Sequence, residues 1–415
     1  MNQILSSRHS KTCETLFDAL VRVAQTVAKN DVSLNKYCEL LTQGHFLPAG
    51  RTLLTADPRS KTIIPNCAVV PPDPQLYRSL MPLTIGLGSN LNYVTDVVST
   101  MKILGKIPKP DATGRKPGIM QTLKWDHPEV LDFIHCKHGV SPCDPLFNMN
   151  ISLLVPRDEY QKFRHSHIFP YVVESAMVTG DPGILFPITR AQHTLATSPC
   201  GELWMNPFEV CTLGNINVSH FVDGKGRVKT KELIESTNTS ITFLNDVIDR
   251  LALPLEQMRI VSKKHRRIGL GIMGFADALR NANVTYGSPQ SFMIAHKLAI
   301  VMKQTARAKK SEFNNASVLA LAPTGGTAML VDASYSLEPY FKEALSVSVK
   351  NQIKMVETWQ KQVDNAISKT INLSKYSTFE EAAHVFDLAY KHGLKGITIY
   401  KDGSRDFQPI ACSVC

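Results

Sequence analysis

From about residue 62 onward, short β-rich runs alternate with helical stretches, and this alternation constrains the fold more than any other feature of the sequence. The β-rich runs read IIPNCAVVP, PGIMQTLKW, FNMNISLLVP, GILFP, SVLALAP and GITIY. Helices are predicted over residues 231–251, 289–312, 351–368 and 378–392. Such alternation predicts an α/β fold, with a mainly parallel sheet whose strands are joined by crossover helices.

The segment before this region has the apolar periodicity of a helix. Leu16, Leu20, Val23 and Val27 recur at spacings of three and four, which predicts an apolar helix stripe within residues 11–44. The following run, FLPAGRTLLTADPRS, is punctuated by proline and glycine, so we expect a loop that leads into the main body.

Composition excludes several classes of protein. Of the 415 residues, 43% are apolar and 20% charged, which is typical of a globular chain and not of a disordered one. The length allows one large barrel or two to three smaller domains. The net charge of +10 suits anionic ligands such as nucleotide phosphates but does not by itself indicate DNA binding. Neither a signal peptide nor a membrane span is predicted, so we expect a cytoplasmic protein.

The nine cysteines are too sparse for a disulfide scaffold, and their number is odd. In a reducing cytoplasm a cysteine is more often chemical than structural. Cys67 and Cys211 lie on strand-like runs, where a single cysteine is usually a small buried hydrophobe. Cys200 stands in the flexible sequence SPCGE, with Glu202 placed to accept or donate a proton beside it.

The terminal pair Cys412 and Cys415 forms a C-x-x-C in a stretch that reads as a mobile tail. Such a pair of cysteines can either bind a metal ion or take part in thiol–disulfide exchange. Because no second C-x-x-C or histidine pair lies near it in the sequence, exchange is favoured.

Two glycine-rich runs are candidate phosphate sites. LAPTGGTAM, residues 321–329, offers small residues and the hydroxyls of Thr324 and Thr327 to a phosphate. RRIGLGIMGF contains a G-x-G-x-x-G whose first glycine is Gly269. Since no strand is predicted before it, we expect helix packing on small residues there and not a dinucleotide site.

Thirteen sequence pieces, taken in order, resemble those of one family. They are FLPAGRTL, NCAVVP, GRKPGIM, HPEVLDFI, FNMNISLL, GDPGILF, PCGE, CTLGNINV, RRIGLGIMGFADAL, APTGGT, LEPYF, KGITIYKDGSR and CSVC. The set resembles the catalytic subunit of ribonucleotide reductases, especially the adenosylcobalamin-dependent class II enzymes. With only about 45 residues before the barrel, the chain is similar to compact, phage-encoded forms without the ATP-cone domain.

The resemblance implies a ten-stranded α/β barrel with an internal finger loop. Residues 1–45 would form a helical N-terminal segment, 46–405 the barrel, and 406–415 a flexible redox tail. Cys200 would become a thiyl radical that abstracts the 3′-hydrogen of a ribonucleotide, while Glu202 deprotonates the 3′-hydroxyl. Cys67 and Cys211 would deliver the reducing equivalents and end as a disulfide, which Cys412 and Cys415 would reduce by exchange.

The resemblance also assigns contacts with nucleotides. The substrate phosphate would meet the loop formed by Pro323, Thr324, Gly325, Gly326 and Thr327. Near the barrel mouth and the ribose, the substrate would meet Ala49, Gly50, Arg51, Thr52 and Asn66. Arg115 and Lys116 would belong to the loop that links a bound effector to the substrate.

Two departures from the family pattern affect this expectation. Ser198 stands where the family usually has asparagine, and serine offers one hydroxyl with a shorter reach. After GLGSNLNYV the chain passes almost directly to TDVVSTMKIL, so the specificity region is shortened and effector binding is expected less strongly. Both departures leave open a nucleotide-binding protein without turnover.

The radical source follows from the last strand-like run. Class I enzymes use two adjacent tyrosines there, whereas this chain has Ile399 and Tyr400. Adenosylcobalamin is therefore the expected cofactor, with no metal held by protein side chains. The alternative is a class I-like subunit that takes its radical from a ferritin-like, metal-containing partner.

The expected partners are a ribonucleoside di- or triphosphate and a thioredoxin- or glutaredoxin-type reductant. The chain would be a monomer or homodimer that binds neither membrane nor DNA. It would act in the cytoplasm, or in the host cytoplasm if phage-encoded.

Overall fold

The computed structural model describes residues 14–110, 116–187 and 195–404. Within these ranges the chain forms one large sheet of ten strands and a separate two-stranded hairpin. The strands are β1 (Phe46–Pro48), β2 (Cys67–Val69), β3 (Gly86–Asn90), β4 (Ile119–Lys124), β5 (Met149–Leu154), β6 (Gly183–Leu185), β7 (Ala196–Thr197), β8 (Trp204–Met205), β9 (Val210–Asn217), β10 (Ile268–Met273), β11 (Thr370–Leu373) and β12 (Gly396–Lys401).

The large sheet consists of two parallel halves. Strands β2 to β6 run parallel in chain order. Strand β9 is parallel to β10, and β11 is parallel to β12. The halves meet where β9 pairs antiparallel with β2 and β12 pairs antiparallel with β6. This arrangement confirms the predicted α/β class.

Nine of the ten strands of this sheet, all except β1, are closed into a ring by a short tenth segment. Residues 318–321 bridge β10 through Leu270 and Leu319, and bridge the approach to β11 through Leu321 and Ile367. The ring therefore runs β2, β3, β4, β5, β6, β12, residues 365–373, residues 318–321, β10 and β9. The predicted ten-stranded barrel is confirmed.

Helices surround the barrel and join its strands. They are α1 (Leu16–Val27), α2 (Asp31–Thr42), α3 (Gly50–Thr55), α4 (Pro74–Leu80), α5 (Val97–Gly105), α6 (Val130–His135), α7 (Tyr160–Arg164), α8 (Ile168–Thr179), α9 (Thr230–Ile248), α10 (Glu256–His265), α11 (Phe275–Asn281), α12 (Pro289–Phe313), α13 (Gly325–Met329), α14 (Phe341–Ala344), α15 (Val349–Gln360) and α16 (Phe379–Lys391). The predicted N-terminal helical segment is therefore present, as the pair α1 and α2.

Local signals explain where these two helices begin. Thr15 and Asn30 each form a reciprocal capping box with the residue three positions on. The pair is attached to α9 through Asp246, which accepts a hydrogen bond from the Tyr37 hydroxyl at 2.6 Å and pairs with Lys29 at 2.7 Å. The expectation of a loop immediately after them is wrong, because residues 46–48 pair with β9 and residues 50–55 form α3.

Two of the barrel strands alternate glycine with larger side chains. In β3, Leu87 points outward into the main hydrophobic core, while Gly86 and Gly88 face the barrel interior. In β10, Leu270 likewise packs outside, and a Cβ on Gly269 would lie 2.4 Å from Leu213 inside the barrel. The expectation that RRIGLGIMGF packs as a helix is therefore wrong, since most of this run is a barrel strand.

No helix among the described residues is long and apolar enough to cross a membrane.

Candidate functional site

The hairpin of β7 and β8 lies inside the barrel and forms the finger. Residues 198–203 make its turn, with the Ser198 N–H donating to the Leu203 carbonyl at 3.0 Å. The Leu203 N–H donates in return to the Ser198 hydroxyl at 3.2 Å. At the tip, Gly201 adopts a φ of +79°, which favours glycine. The Ser198 hydroxyl thus helps to close the finger.

Glycines on the surrounding strands leave room for this hairpin. A Cβ on Gly88 would lie 1.9 Å from the Thr197 carbonyl oxygen, and a Cβ on Gly86 would lie 2.7 Å from the Pro199 ring. From the opposite side of the barrel, Gly269 approaches Leu203. Because both halves of the barrel contact it, the finger is enclosed.

Two hydrogen bonds from barrel strands hold the finger tip. The Asn150 carboxamide on β5 donates to the Pro199 carbonyl at 2.8 Å, one residue before Cys200. The Ala366 N–H donates to the Glu202 carbonyl at 2.9 Å. Cys200 is half-buried at the tip, while Glu202 is only 1% exposed. A thiol and a carboxylate are therefore held two residues apart within the barrel.

Cys67 and Cys211 are directly opposite each other in the pairing of β2 and β9. Directly opposed residues in antiparallel strands have Cβ atoms about 4.5–5.5 Å apart, so a modest adjustment brings their sulfur atoms to bonding distance. Cys211 is fully buried and Cys67 half-buried, and both pack in a cluster with Leu203 of the finger. The structure thus brings this thiol pair to the finger.

The two predicted substrate segments approach the same cluster. Ala49 packs against it and donates its N–H to the Leu213 carbonyl at 2.9 Å. Ala322, which directly precedes the glycine-rich loop, belongs to the cluster as well. The loop from Pro323 to Thr327 and the segment from Ala49 to Thr52 therefore start from one region of the barrel interior.

Within these segments several polar groups have structural partners. The Arg51 guanidinium donates to the Thr84 carbonyl. The Thr324 hydroxyl accepts from the Ser336 N–H at 2.9 Å, and the Thr327 hydroxyl donates to the Thr324 carbonyl at 3.0 Å. By contrast, the buried Asn66 Oδ1 has no hydrogen-bond partner within the described ranges.

Several predicted residues lie elsewhere. Lys116 is exposed and lines a separate cavity of about 210 Å³ together with Lys106, Asp144 and Asn148. Arg115, Cys412 and Cys415 lie outside the described residues.

The cysteines left without a predicted role differ from those at the finger. Burial raises the pKa of Cys136 to about 12 and also raises the pKa of Cys38. Such thiols are poorly ionised near neutral pH and therefore weakly reactive. Cys143 is exposed, and Cys13 lies outside the described residues.

A small cavity borders Cys200 on the side of β5, β11 and β12. Its volume is about 40 Å³, and hydroxyl groups of Ser152 and Thr398 contribute to its lining. That volume suits about one water molecule. An adenosyl group does not fit between the side chains as they stand. The described part of the chain also holds no cluster of three or more His, Cys, Asp or Glu side chains suited to a metal.

Sequence reasoning missed Asn150 and the inward-facing glycines. The glycines had a recognisable signal, because GLGSN and IGLGIM alternate glycine with other residues at the period of a strand. Asn150 had none, since its role depends on a contact with the finger 49 positions away.

The fold and the site define an α/β-barrel protein that encloses a cysteine and a glutamate on an internal finger beside a second pair of cysteines. A family model described as "Ribonucleotide reductase, barrel domain" matches residues 154–313 and 339–400. The chain belongs to the ribonucleotide reductase family.

Several relatives are described as reductases of this family. A vitamin B12-dependent ribonucleoside-diphosphate reductase of Thermoplasma acidophilum is 26% identical over 443 aligned positions, covering 80% of this chain and 57% of that protein. One of Mycobacterium tuberculosis H37Rv is 24% identical, covering 72% of this chain and 57% of that protein. The chain thus spans little more than half the length of these relatives.

A phage relative resembles part of the chain, and a solved structure resembles nearly all of it. A putative adenosylcobalamin-dependent ribonucleoside-triphosphate reductase of Mycobacterium phage D29 is 28% identical over 40% of this chain and 26% of that protein. The solved alpha subunit of the class Id ribonucleotide reductase of Actinobacillus ureae superposes with a TM-score of 0.78. At 13% identity, over 97% of this chain and 96% of that one, the superposition shows a shared fold.

Proposed function

We propose that the chain reduces ribonucleotides to 2′-deoxyribonucleotides by radical chemistry, in the supply of DNA precursors. The observation that carries this proposal is the enclosed finger, which holds Cys200 and Glu202 beside the opposed pair Cys67 and Cys211. A closed barrel suits this chemistry because it keeps water and competing hydrogen donors away from a radical.

In the first step, a thiyl radical on Cys200 takes the hydrogen atom from C3′ and becomes a thiol. The Glu202 carboxylate accepts the proton of the 3′-hydroxyl, which its deep burial next to the finger tip supports. Ser198 already accepts the Leu203 N–H, so its role is to shape the finger and so place Glu202.

In the second step, the 2′-hydroxyl leaves as water. Cys67 and Cys211 together supply two electrons and two protons and end as a disulfide. Glu202 returns its proton to the 3′-oxygen, and Cys200 returns the hydrogen atom to C3′. Atoms and electrons balance, because one ribonucleotide and two thiols give one deoxyribonucleotide, one disulfide and one water. Cys412 and Cys415 would then reduce this disulfide by exchange, with a thioredoxin- or glutaredoxin-type protein as the external reductant.

For the nucleotide, we propose that Pro323, Thr324, Gly325, Gly326 and Thr327 meet the phosphates. The ribose and its surroundings would meet Ala49, Gly50, Arg51, Thr52 and Asn66. The buried Asn66 Oδ1 has no hydrogen-bond partner among the described residues, which supports a contact with a substrate hydroxyl. Arg115 and Lys116 would serve an effector-linked loop, and both di- and triphosphate substrates suit the proposal.

As the radical source we propose adenosylcobalamin, supported by the names of the relatives and by Ile399 in place of a second tyrosine. When bound, adenosylcobalamin supplies a carbon radical by cobalt–carbon homolysis. Because the cavity beside Cys200 does not fit an adenosyl group, binding requires its lining side chains to move. The alternative source is a metal-containing partner subunit, and a third possibility is nucleotide binding without turnover.

We further propose that residues 46–405 act as the catalytic barrel, with residues 1–45 as a helical segment and 406–415 as a redox tail. The active form would be a monomer or homodimer. It would act in the cytoplasm, or in the host cytoplasm if phage-encoded, without binding membrane or DNA.

The proposal is tested by an anaerobic assay of the full chain with a dithiol, a ribonucleotide, and adenosylcobalamin present or omitted. We expect deoxyribonucleotide only when adenosylcobalamin is present, no product from Cys200→Ala, and wild-type product from the matched control Cys38→Ala. Product that appears only with a dimetal partner protein would favour the alternative source. Full activity of Cys200→Ala would contradict the mechanism, and tight nucleotide binding without turnover under either source would contradict the proposed activity.

A further inference from the structure

The Asn150 carboxamide donates a hydrogen bond, 2.8 Å long, to the carbonyl that directly precedes Cys200. This asparagine is the second residue of β5 and faces the barrel interior. The bond ties the peptide between Pro199 and Cys200 to a rigid barrel strand. Within the finger turn itself, hydrogen bonds join Ser198 with Gly201 and Leu203.

Burial sets Asn150 apart from the rest of its strand. The other residues of β5 are all buried, including Ser152 and Leu154, which face the same way, whereas Asn150 is exposed. An exposed side chain on an inward-facing barrel position borders an open part of the interior. Asn150 therefore lies between the finger tip and a solvent-accessible part of the barrel.

We propose that Asn150 is a positioning residue for Cys200. Its carboxamide holds the Pro199 carbonyl and thereby fixes where the Cys200 sulfur stands relative to a nucleotide in the open interior. The inference rests on the proposed function and extends it to a residue on a neighbouring strand. Hydrogen transfer is steeply sensitive to distance, and a misplacement of about 1 Å costs about 100-fold in rate.

Asn150→Asp tests the tie, because it keeps the size of the side chain and replaces the N–H donor with an acceptor that repels the Pro199 carbonyl. We expect kcat to fall about 10- to 100-fold with an unchanged KM. We also expect faster alkylation of the Cys200 thiol by iodoacetamide, measured by peptide mass spectrometry without substrate. Asn150→Gln keeps a carboxamide donor and should recover part of both values.

Asn90→Asp is the matched control. Asn90 donates to the Leu195 carbonyl at 2.9 Å, so it contacts the same hairpin at its base, five residues from Cys200. This variant should keep wild-type Cys200 alkylation. If Asn150→Asp leaves kcat and Cys200 alkylation unchanged, or raises KM alone, the inference is wrong. If the wild-type chain makes no deoxyribonucleotide, the proposed function fails, while the alkylation comparison still tests the tie.

Discussion

Glu202 and Glu209 are two buried carboxylates, the first on the finger and the second just before β9. Glu202 is nearly fully buried, and its carbonyl accepts a hydrogen bond from the Ala366 N–H at 2.9 Å. This bond fixes the position of its backbone. Glu209, a few residues on, is also buried, but Arg267 pairs with it at 2.6 Å and Asn206 donates to it twice. These bonds give Glu209 a structural role, and the mechanism proposed above assigns proton acceptance to Glu202 because it lies on the finger two residues after Cys200.

Replacing Glu202 by glutamine keeps the shape and removes the ability to accept a proton. We expect kcat to fall by about 100- to 10,000-fold, the range typical of lost general base catalysis, with little change in nucleotide affinity. Initial rates and equilibrium binding of the nucleotide measure the two effects. Glu343→Gln, at an exposed position, is the control. A Glu202→Gln enzyme with near wild-type kcat would show that the base is another group.

At the scale of elements, the finger depends on small residues in the strands around it. Gly88→Ala would place a methyl group 1.9 Å from the Thr197 carbonyl oxygen, which belongs to backbone and cannot rotate away. We expect the finger to shift, with a loss of about 1–3 kcal/mol in the free energy of unfolding and a marked loss of activity. Urea unfolding and the deoxyribonucleotide assay test this expectation.

Gly224→Ala serves as the control for that substitution, since its nearest neighbour would be 3.8 Å away and its backbone is compatible with alanine. It should unfold at nearly the wild-type denaturant concentration. Equal stability and activity for Gly88→Ala and wild type would mean that the finger does not pack against β3 as described.

Several of the strands, but not every helix boundary, could be predicted from the sequence. The runs of β2, β4, β5, β6 and β12 were predicted, because each carries a β-rich pattern between turn signals. The helix predicted over 351–368 ends instead at Gln360, because residues 365–368 join the sheet. There the backbone of Ala366 contacts Leu321 and Glu202, and such distant contacts override local pattern.

Some residues of the candidate site could be predicted from the sequence, whereas their contacts could not. Cys200 and Glu202 could be found because they lie within one short motif, and Cys67 and Cys211 because their runs match family pieces. Their direct opposition across β2 and β9 could not be read from the sequence, since it depends on strand register. The shape of the finger turn, and the contact of Asn150 with it, required the fold.

For the whole molecule, closure of the ring is the feature that encloses the site, and the short segment of residues 318–321 completes that closure. The Asp364 carboxylate accepts from the N–H groups of Val318 and Leu319, at 2.9 and 2.7 Å. This side chain thus fastens the closing strand to the segment that leads into β11.

Asp364→Ala would leave both of these donors without their acceptor. Each buried unsatisfied donor costs about 1–3 kcal/mol, so we expect a clear drop in unfolding free energy and faster amide hydrogen exchange over residues 318–321. Asp126→Ala is the control, because Asp126 pairs with Lys124 at 3.0 Å on the surface and should contribute under about 1 kcal/mol. Unchanged exchange in the Asp364→Ala protein would contradict this account of closure.

The central claim is that Cys200 initiates, and the thiol pair completes, a two-electron reduction of a ribonucleotide. The most direct test is an anaerobic single turnover of the pre-reduced full chain with adenosylcobalamin or a dimetal partner and no external reductant. Deoxyribonucleotide is compared with disulfide, summed over the pairs Cys67–Cys211 and Cys412–Cys415 by peptide mapping. The account predicts one disulfide for each deoxyribonucleotide formed, and neither product from Cys200→Ala. Deoxyribonucleotide formed while all four thiols stay reduced would contradict it.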